Sequence, residues 1–346
     1  MNQKERLLNT LARKPVDRPP FICPGGMMTM VVTEVMDQAG CSWPQAHVDA
    51  RQMARLTLAA HELAGIENLG VPFCMTAEAE SLGAEVGLGS RESEPRVTGY
   101  VMEQMGQLQR LAALDPHGGR AGVCAEAVGM LKQTAPQLPV IADLTGPLSL
   151  ATSLIDPLTY YRALRRDKQA AHALTRRCTE EIKVFGQALL MAGADLVCIA
   201  DPSATGEIIG REAFAEFALP YLNELADHFK ARFAVPTIVH ICGNLKSLGS
   251  SLAHISAAAL SVDSLVSIAT LRELAPGKIT MGNVSTFMLE KGDPERLYKA
   301  ARHCLTAGVD ILAPACGISP RTPVANIRRM FDAVAAFDAA EPGRAS

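Results

Sequence analysis

The chain has 346 residues, 48% of them hydrophobic and 20% charged, with a formal net charge of -3. That balance gives no attraction to nucleic acid or to an anionic membrane surface, and no run of 18 or more apolar residues offers a membrane-spanning helix. The 9 cysteines are odd in number and scattered through apolar runs such as "LVCIA", which suits free thiols in a reducing cytoplasm and not a disulfide framework.

The chain opens on "MNQKERLLNTLARKP", charged throughout, which predicts a short amphipathic helix and not a secretion signal. Residues 1–20 are therefore read as an N-terminal helical extension. Short apolar runs then alternate with helical stretches. Candidate strands are "PFICPGG" near Phe21, "IENLGVPF" near Leu69, "LPVIADLTG" near Ile141 and "ADLVCIADP" near Val197. They continue with "PTIVHICG" near Val239, "ALSVDS" near Val262, "KITMGNVS" near Met281 and "VDILAPACG" near Leu312, which makes eight. Runs apolar on both faces, separated by amphipathic helices, mark parallel strands covered by helices. The long helical stretch before the fourth candidate ends on Gly193, and "PERLYKAARHCLTAG" has Pro294 near its start and Gly308 past its end. A count of eight, with no GxGxxG after the first strand, favours closure into a (β/α)8 TIM barrel over an open dinucleotide-binding sheet. The irregular stretch 81–138 reads as an insertion over the barrel mouth. The expectation is one barrel domain over 1–346.

Active sites of such barrels lie at the carboxyl ends of the strands. Glu78 and Glu80 follow the second candidate strand, Asp143 ends the third and Asp201 the fourth. His240 and Cys242 end the fifth, Asp263 the sixth, Asn283 the seventh and Cys316 the eighth. In a strand, residues i and i+2 share a face, so His240 and Cys242 project side by side. With Cys316 arriving from another strand end, they form a tripod of the kind that holds a catalytic zinc with one open position. A single buried cysteine is ordinarily inert packing, so pattern alone leaves a zinc site and a packed core both open. Asp201 and Asn283 are catalytic candidates, Asp201 with the alternative of capping the following helix. Asp143 and Glu80 are candidate substrate-binding groups. "DPHGGR", at Asp115 to Arg120, falls short of the cobalt-ligating Asp-x-His-x-x-Gly pattern and reads as a turn.

The pieces "HICGN" and "APACGISPRTPVANIRRM" resemble the methylcobamide:coenzyme M methyltransferases, a branch of the uroporphyrinogen decarboxylase superfamily. The likeness runs through "ERLLNTLARKPVDRPP", "VPFCMTAEAESLGAEV", "DPSATGEIIGREAFAEFALPYL" and "MGNVST". The resemblance implies a (β/α)8 barrel in which His240, Cys242 and Cys316 hold Zn2+. It implies a methyl-corrinoid donor carried by a partner corrinoid protein, and a small-molecule thiol as acceptor, coenzyme M by family likeness. The acceptor's sulfonate would want a cation, and Arg321 is the candidate. A corrinoid-dependent demethylase, or a methyltransferase with another donor or acceptor, is the alternative. Uroporphyrinogen decarboxylase itself carries an arginine-rich loop after its N-terminal strand. Here that text is "CPGGMMTM", with no basic residue to hold a polycarboxylate.

Overall fold

The computed structural model describes residues 1–337, and among them the chain forms an α/β fold around one curled sheet. Its seven parallel strands are β1 (Leu69–Val71), β4 (Val140–Thr145), β5 (Leu196–Ala200), β6 (Thr237–Ile241), β7 (Ala259–Val262), β8 (Ile279–Val284) and β9 (Ile311–Pro314). They lie in chain order. The remaining pair, β2 (Glu85–Gly87) and β3 (Arg96–Gly99), is a separate antiparallel hairpin. Every residue of β4, β5, β6 and β8 is buried. This is why these runs carry no polar alternation: helices cover one face, and the curled sheet encloses the other. No helix among the described residues is long and apolar enough to cross a membrane.

The expected first strand, "PFICPGG", is the point of difference. It is reduced to one parallel bridge between Phe21 and Leu312. Pro19, Pro20 and Pro24 cannot donate to a ladder, and the chain turns at Gly25 and Gly26, both with positive φ. The short segment is still bonded on both sides. Ile22 N donates to Leu312 O at 3.1 Å, and Glu67 N donates to Phe21 O at 2.8 Å. Further along, the Asn68 side chain replaces the missing ladder, accepting from Cys23 N at 2.8 Å and donating to Cys23 O at 3.0 Å.

The N-terminal helix Gln3–Leu11 is tied to the same place through Glu67. That buried carboxylate accepts from Arg6 at 2.9 Å, from Arg18 at 2.7 and 2.8 Å, and from Phe21 N at 2.9 Å. Residues 81–138 hold the β2–β3 hairpin and the helix Gly119–Thr134, which packs on Ala50–Ala64 and Lys168–Ala192 in the crossover between β1 and β4. "DPHGGR" is a turn: Asp115 accepts from His117 N at 3.0 Å, just before that helix. The long helical stretch after β4 divides at Asp167, whose carboxylate caps Lys168–Ala192 through Ala170 N.

Candidate metal centre

Strand pairing brings the first ligand into place. His240 lies opposite Ser261 in the β6–β7 register, and its Nδ1 is 2.9 Å from Ser261 Oγ. That contact orients the ring so that Nε2 faces Cys242 Sγ at 3.0 Å. Cys316, beyond β9, brings its Sγ to 3.2 Å from Cys242 Sγ. The three ligand atoms lie within 4.8 Å of one another, and they form the one such group of His, Cys, Asp or Glu found among the described residues. Around a tetrahedral zinc, two sulfurs stand about 3.8 Å apart and a nitrogen–sulfur pair about 3.6 Å. The trio therefore needs only to open by about half an ångström to hold the ion. The donor set, one imidazole and two soft sulfurs with a hydrogen-bonded outer partner on the imidazole, fits zinc.

The two thiols are within hydrogen-bond distance of each other. The hydrogen bond from Cys242, opposed by burial and helped by His240, lowers Cys316 to about 5. The same bond, with burial added, pushes Cys242 up. The downward direction at Cys316 favours thiolate, the form that metal binds. Two glycines keep the backbone clear of the site. Gly243 has φ +81°, and a Cβ on Gly317 would lie 2.4 Å from Met27 O. The "CPGGMMTM" loop covers the trio: Met27 Sδ is 3.7 Å from Cys242 Sγ, and Met28 Sδ is 3.7 Å from Ser261 Oγ.

Of the other candidate groups, Asp201, Asn283, Asp263 and Glu78 bond to neighbouring backbone. Asp201 is fully buried and spends both oxygens on the start of the helix Pro147–Leu154. Oδ1 takes Ser149 N at 2.9 Å and Ser149 Oγ at 2.7 Å, and Oδ2 takes Leu148 N at 3.2 Å. Burial, opposed by these bonds, pushes its carboxyl up to about 6. Asn283 donates to Asp263 O at 2.9 Å and Val266 O at 2.6 Å, fixing the turn after β7. Asp263 accepts from Gly243 N at 3.4 Å, beside Cys242. Asp143 lies beneath the glycine pair; a Cβ on Gly26 would stand 1.8 Å from its Oδ1. Burial raises its carboxyl well above the ordinary range. Glu78 accepts from Thr145 N at 2.7 Å. Glu80 pairs with the buried guanidinium of Arg120, which also donates to Thr76 Oγ1 at 2.9 Å. Arg321 extends from the loop after Cys316 with its side chain two-thirds exposed, 3.5 Å from Glu290.

Ser261 and Glu94 are not among the candidate site residues read from the sequence, and Met27 enters there only as part of the "CPGGMMTM" loop. Ser261 was legible in principle, as a hydroxyl in an otherwise apolar strand next to the histidine's strand. Glu94 sits in a polar hairpin that nothing in the sequence ties to the centre, yet it lines the cleft beside Cys316. Burial, with Cys316 adding to it, pushes Glu94 up to about 8.

A curled parallel sheet carrying His, Cys and Cys at its carboxyl ends defines a TIM-barrel-like α/β protein with a candidate zinc centre. The chain belongs to the uroporphyrinogen decarboxylase (URO-D) family, whose model matches residues 2–337. It is 35% identical to methylcobamide:CoM methyltransferase MtbA of Methanosarcina acetivorans, over 95% of this chain and 96% of the relative. It is 30% identical to methylcobamide:CoM methyltransferase MtaA of Methanosarcina barkeri, over 95% and 96%. A solved methyltransferase from Methanosarcina mazei superposes with a TM-score of 0.90 at 30% identity, over 97% of this chain and 98% of that one. Its full-length relatives at 30–35% identity are methyltransferases, which sets this chain among enzymes.

Proposed function

We propose that the protein transfers a methyl group from a methylated corrinoid, carried by a partner protein, to a small thiol held at the centre of His240, Cys242 and Cys316. The observation that carries this is the convergence of those three ligand atoms within 4.8 Å. His240, Cys242 and Cys316 would hold a zinc ion, which would supply a Lewis acid to keep an alkyl thiol, ordinarily protonated at neutral pH, as thiolate. That thiolate would take the methyl group from the donor substrate, a carbon–sulfur bond forming as the carbon–cobalt bond breaks with its electron pair left on cobalt. The donor cofactor carries the hard chemistry, and the chain supplies geometry and shelter.

His240 is held by Ser261 with Nε2 toward the sulfurs. Met27, Met75 and Phe287 present apolar surface at the cleft beside Cys316, which suits the face of a corrin ring and keeps water from the reacting atoms. Asp201 and Asn283 act in this scheme by positioning, Asp201 through Ser149 and Asn283 through the backbone of Asp263 and Val266. The relatives' names point to coenzyme M as the reference acceptor. The same reading takes the chain as one barrel domain with 1–20 as extension and 81–138 as insertion. Closure into eight strands is supported by the bonds that Phe21 and Ile22 make to Glu67 and Leu312. Full-length protein with one zinc per chain should demethylate methylcobalamin only when a thiol is present. Zinc-loaded protein that leaves methylcobalamin unchanged with every thiol tried would overturn the proposal.

A further inference from the structure

Strand β4 alternates its side chains between two faces. Leu144 faces the helices, for a Cβ on Gly186 of the helix Lys168–Ala192 would stand 2.8 Å from its Cδ1. Asp143 therefore points the other way, into the space the curled sheet encloses, where it is 1% exposed. The Cys198 thiol, on its register partner in β5, and the Met27 amide lie beside the carboxyl. Its Oδ2 makes no hydrogen bond among the described residues. A buried carboxyl so short of partners is costly, and what it touches accounts for its place.

It touches the turn that roofs the metal ligands. Gly25 N donates to Met28 O at 3.0 Å and Met28 N to Gly25 O at 2.7 Å, which closes the turn on itself. Gly26 has φ +52°, and the space a side chain would fill there is taken by Asp143, with Oδ1 1.8 Å from the Cβ position. On the same underside Gly26 N donates to Pro72 O at 2.7 Å, and a Cβ on Gly70 would stand 1.8 Å from Pro24 O. Met27 is the one residue of 21–30 that is not buried. Its Sδ rests 3.7 Å from Cys242 Sγ, its carbonyl oxygen fills the space beside Gly317, and its side chain lines the cleft with Cys316. One short turn thus lies between Asp143 below and both cysteine ligands above.

From this stacking we infer that Asp143 is a positioning residue for the metal centre: wedged under Gly26, it holds Met27 against Cys242 and Gly317 and so sets how far the centre is open to an incoming thiol. The inference concerns access to the site proposed above, and it rests on that reading only for the identity of the guest.

Thiol labelling tests it. Metal-free full-length protein is pulsed with N-ethylmaleimide, and each cysteine is read from its proteolytic peptide by mass spectrometry. Asp143→Ala removes the wedge, and Gly26→Ala puts a methyl where Asp143 Oδ1 stands. Each should raise labelling of Cys242 and Cys316 about tenfold, the scale of one lost buried contact. Asp143→Asn keeps the shape and an oxygen beside the Met27 amide and should stay within about twofold of wild type. Cys178, wholly buried in the helix Lys168–Ala192, reports general loosening and should remain protected in every variant. Labelling of Cys242 and Cys316 close to wild type in both Asp143→Ala and Gly26→Ala overturns the inference. An equal rise at Cys178, or an equal rise in Asp143→Asn, overturns it as well. Where Asp143→Ala does not fold, Gly26→Ala reads the same contact from the side of the turn. The readout needs neither zinc nor a methyl donor, so its failure leaves methyl transfer standing, and failure of methyl transfer leaves the positioning role standing.

Discussion

Ser261→Ala is the most informative single change outside the ligands. Ser261 Oγ is the hydrogen-bond partner of His240 Nδ1 at 2.9 Å, and both residues are buried, with 1% and 0% exposure. When Nδ1–H donates to that oxygen, the lone pair of Nε2 is left for a metal, so the serine fixes both ring orientation and tautomer. Alanine removes the acceptor and leaves a buried N–H without a partner, a loss of about 1–3 kcal/mol in stability. Outer-shell partners of ligating histidines are worth about 10–100-fold in metal affinity. Zinc affinity from chelator competition should therefore fall by that factor, and the denaturation midpoint should drop while the far-UV spectrum is kept. A zinc affinity within twofold of wild type would refute the idea that Ser261 sets the imidazole.

Cys316→Ala should reduce bound zinc below one per chain and abolish thiol-dependent methyl transfer, with the fold retained; full zinc stoichiometry in that variant would count against Cys316 as ligand. Glu67→Ala takes from Arg18 its carboxylate partner and leaves Arg6 with Asp17 alone, in side chains 16% and 6% exposed, and should cost about 3 kcal/mol in a denaturant titration. A loss under ~1 kcal/mol, the scale of an exposed ion pair, would show that the N-terminal segment is not anchored there. Asp201, pushed up to about 6, binds a proton more readily folded than unfolded. Its contribution to stability is complete below the ordinary carboxyl value and is lost as pH rises through about 6, a swing of about 3 kcal/mol. Comparing wild type with Asp201→Asn across that window should reveal this slope in wild type alone; parallel pH profiles would contradict it.

Much of the sheet is legible because its strands are buried on both faces, so that "VIADLT", "LVCIA" and "TIVHI" stand out as mostly apolar runs with few polar residues among them. The His240–Cys242 pair is legible for a related reason, the two-residue repeat of a strand. The Phe21 segment has the composition of a strand, but three prolines and a glycine pair limit it to one bridge, and the side chain of Asn68 takes over the pairing. Asp201 and Asn283 show the harder limit. Their place at strand ends can be read, but the groups that claim them cannot. The donors to Asp201 come from Leu148 and Ser149, and the acceptors of Asn283 from the turn after β7. Arg321 was read as a cation for the acceptor's sulfonate, and it faces Glu290 at the surface. Glu94 is hidden from sequence because only folding of the hairpin brings it beside Cys316.

X-ray absorption at the zinc edge, on full-length protein with and without 2-mercaptoethanol, tests the central claim most directly. The account predicts one zinc per chain with two sulfur neighbours at about 2.3 Å and nitrogen at about 2.0–2.1 Å, and a third sulfur when the thiol is added. A first shell of four protein ligands that does not change on adding the thiol would contradict it.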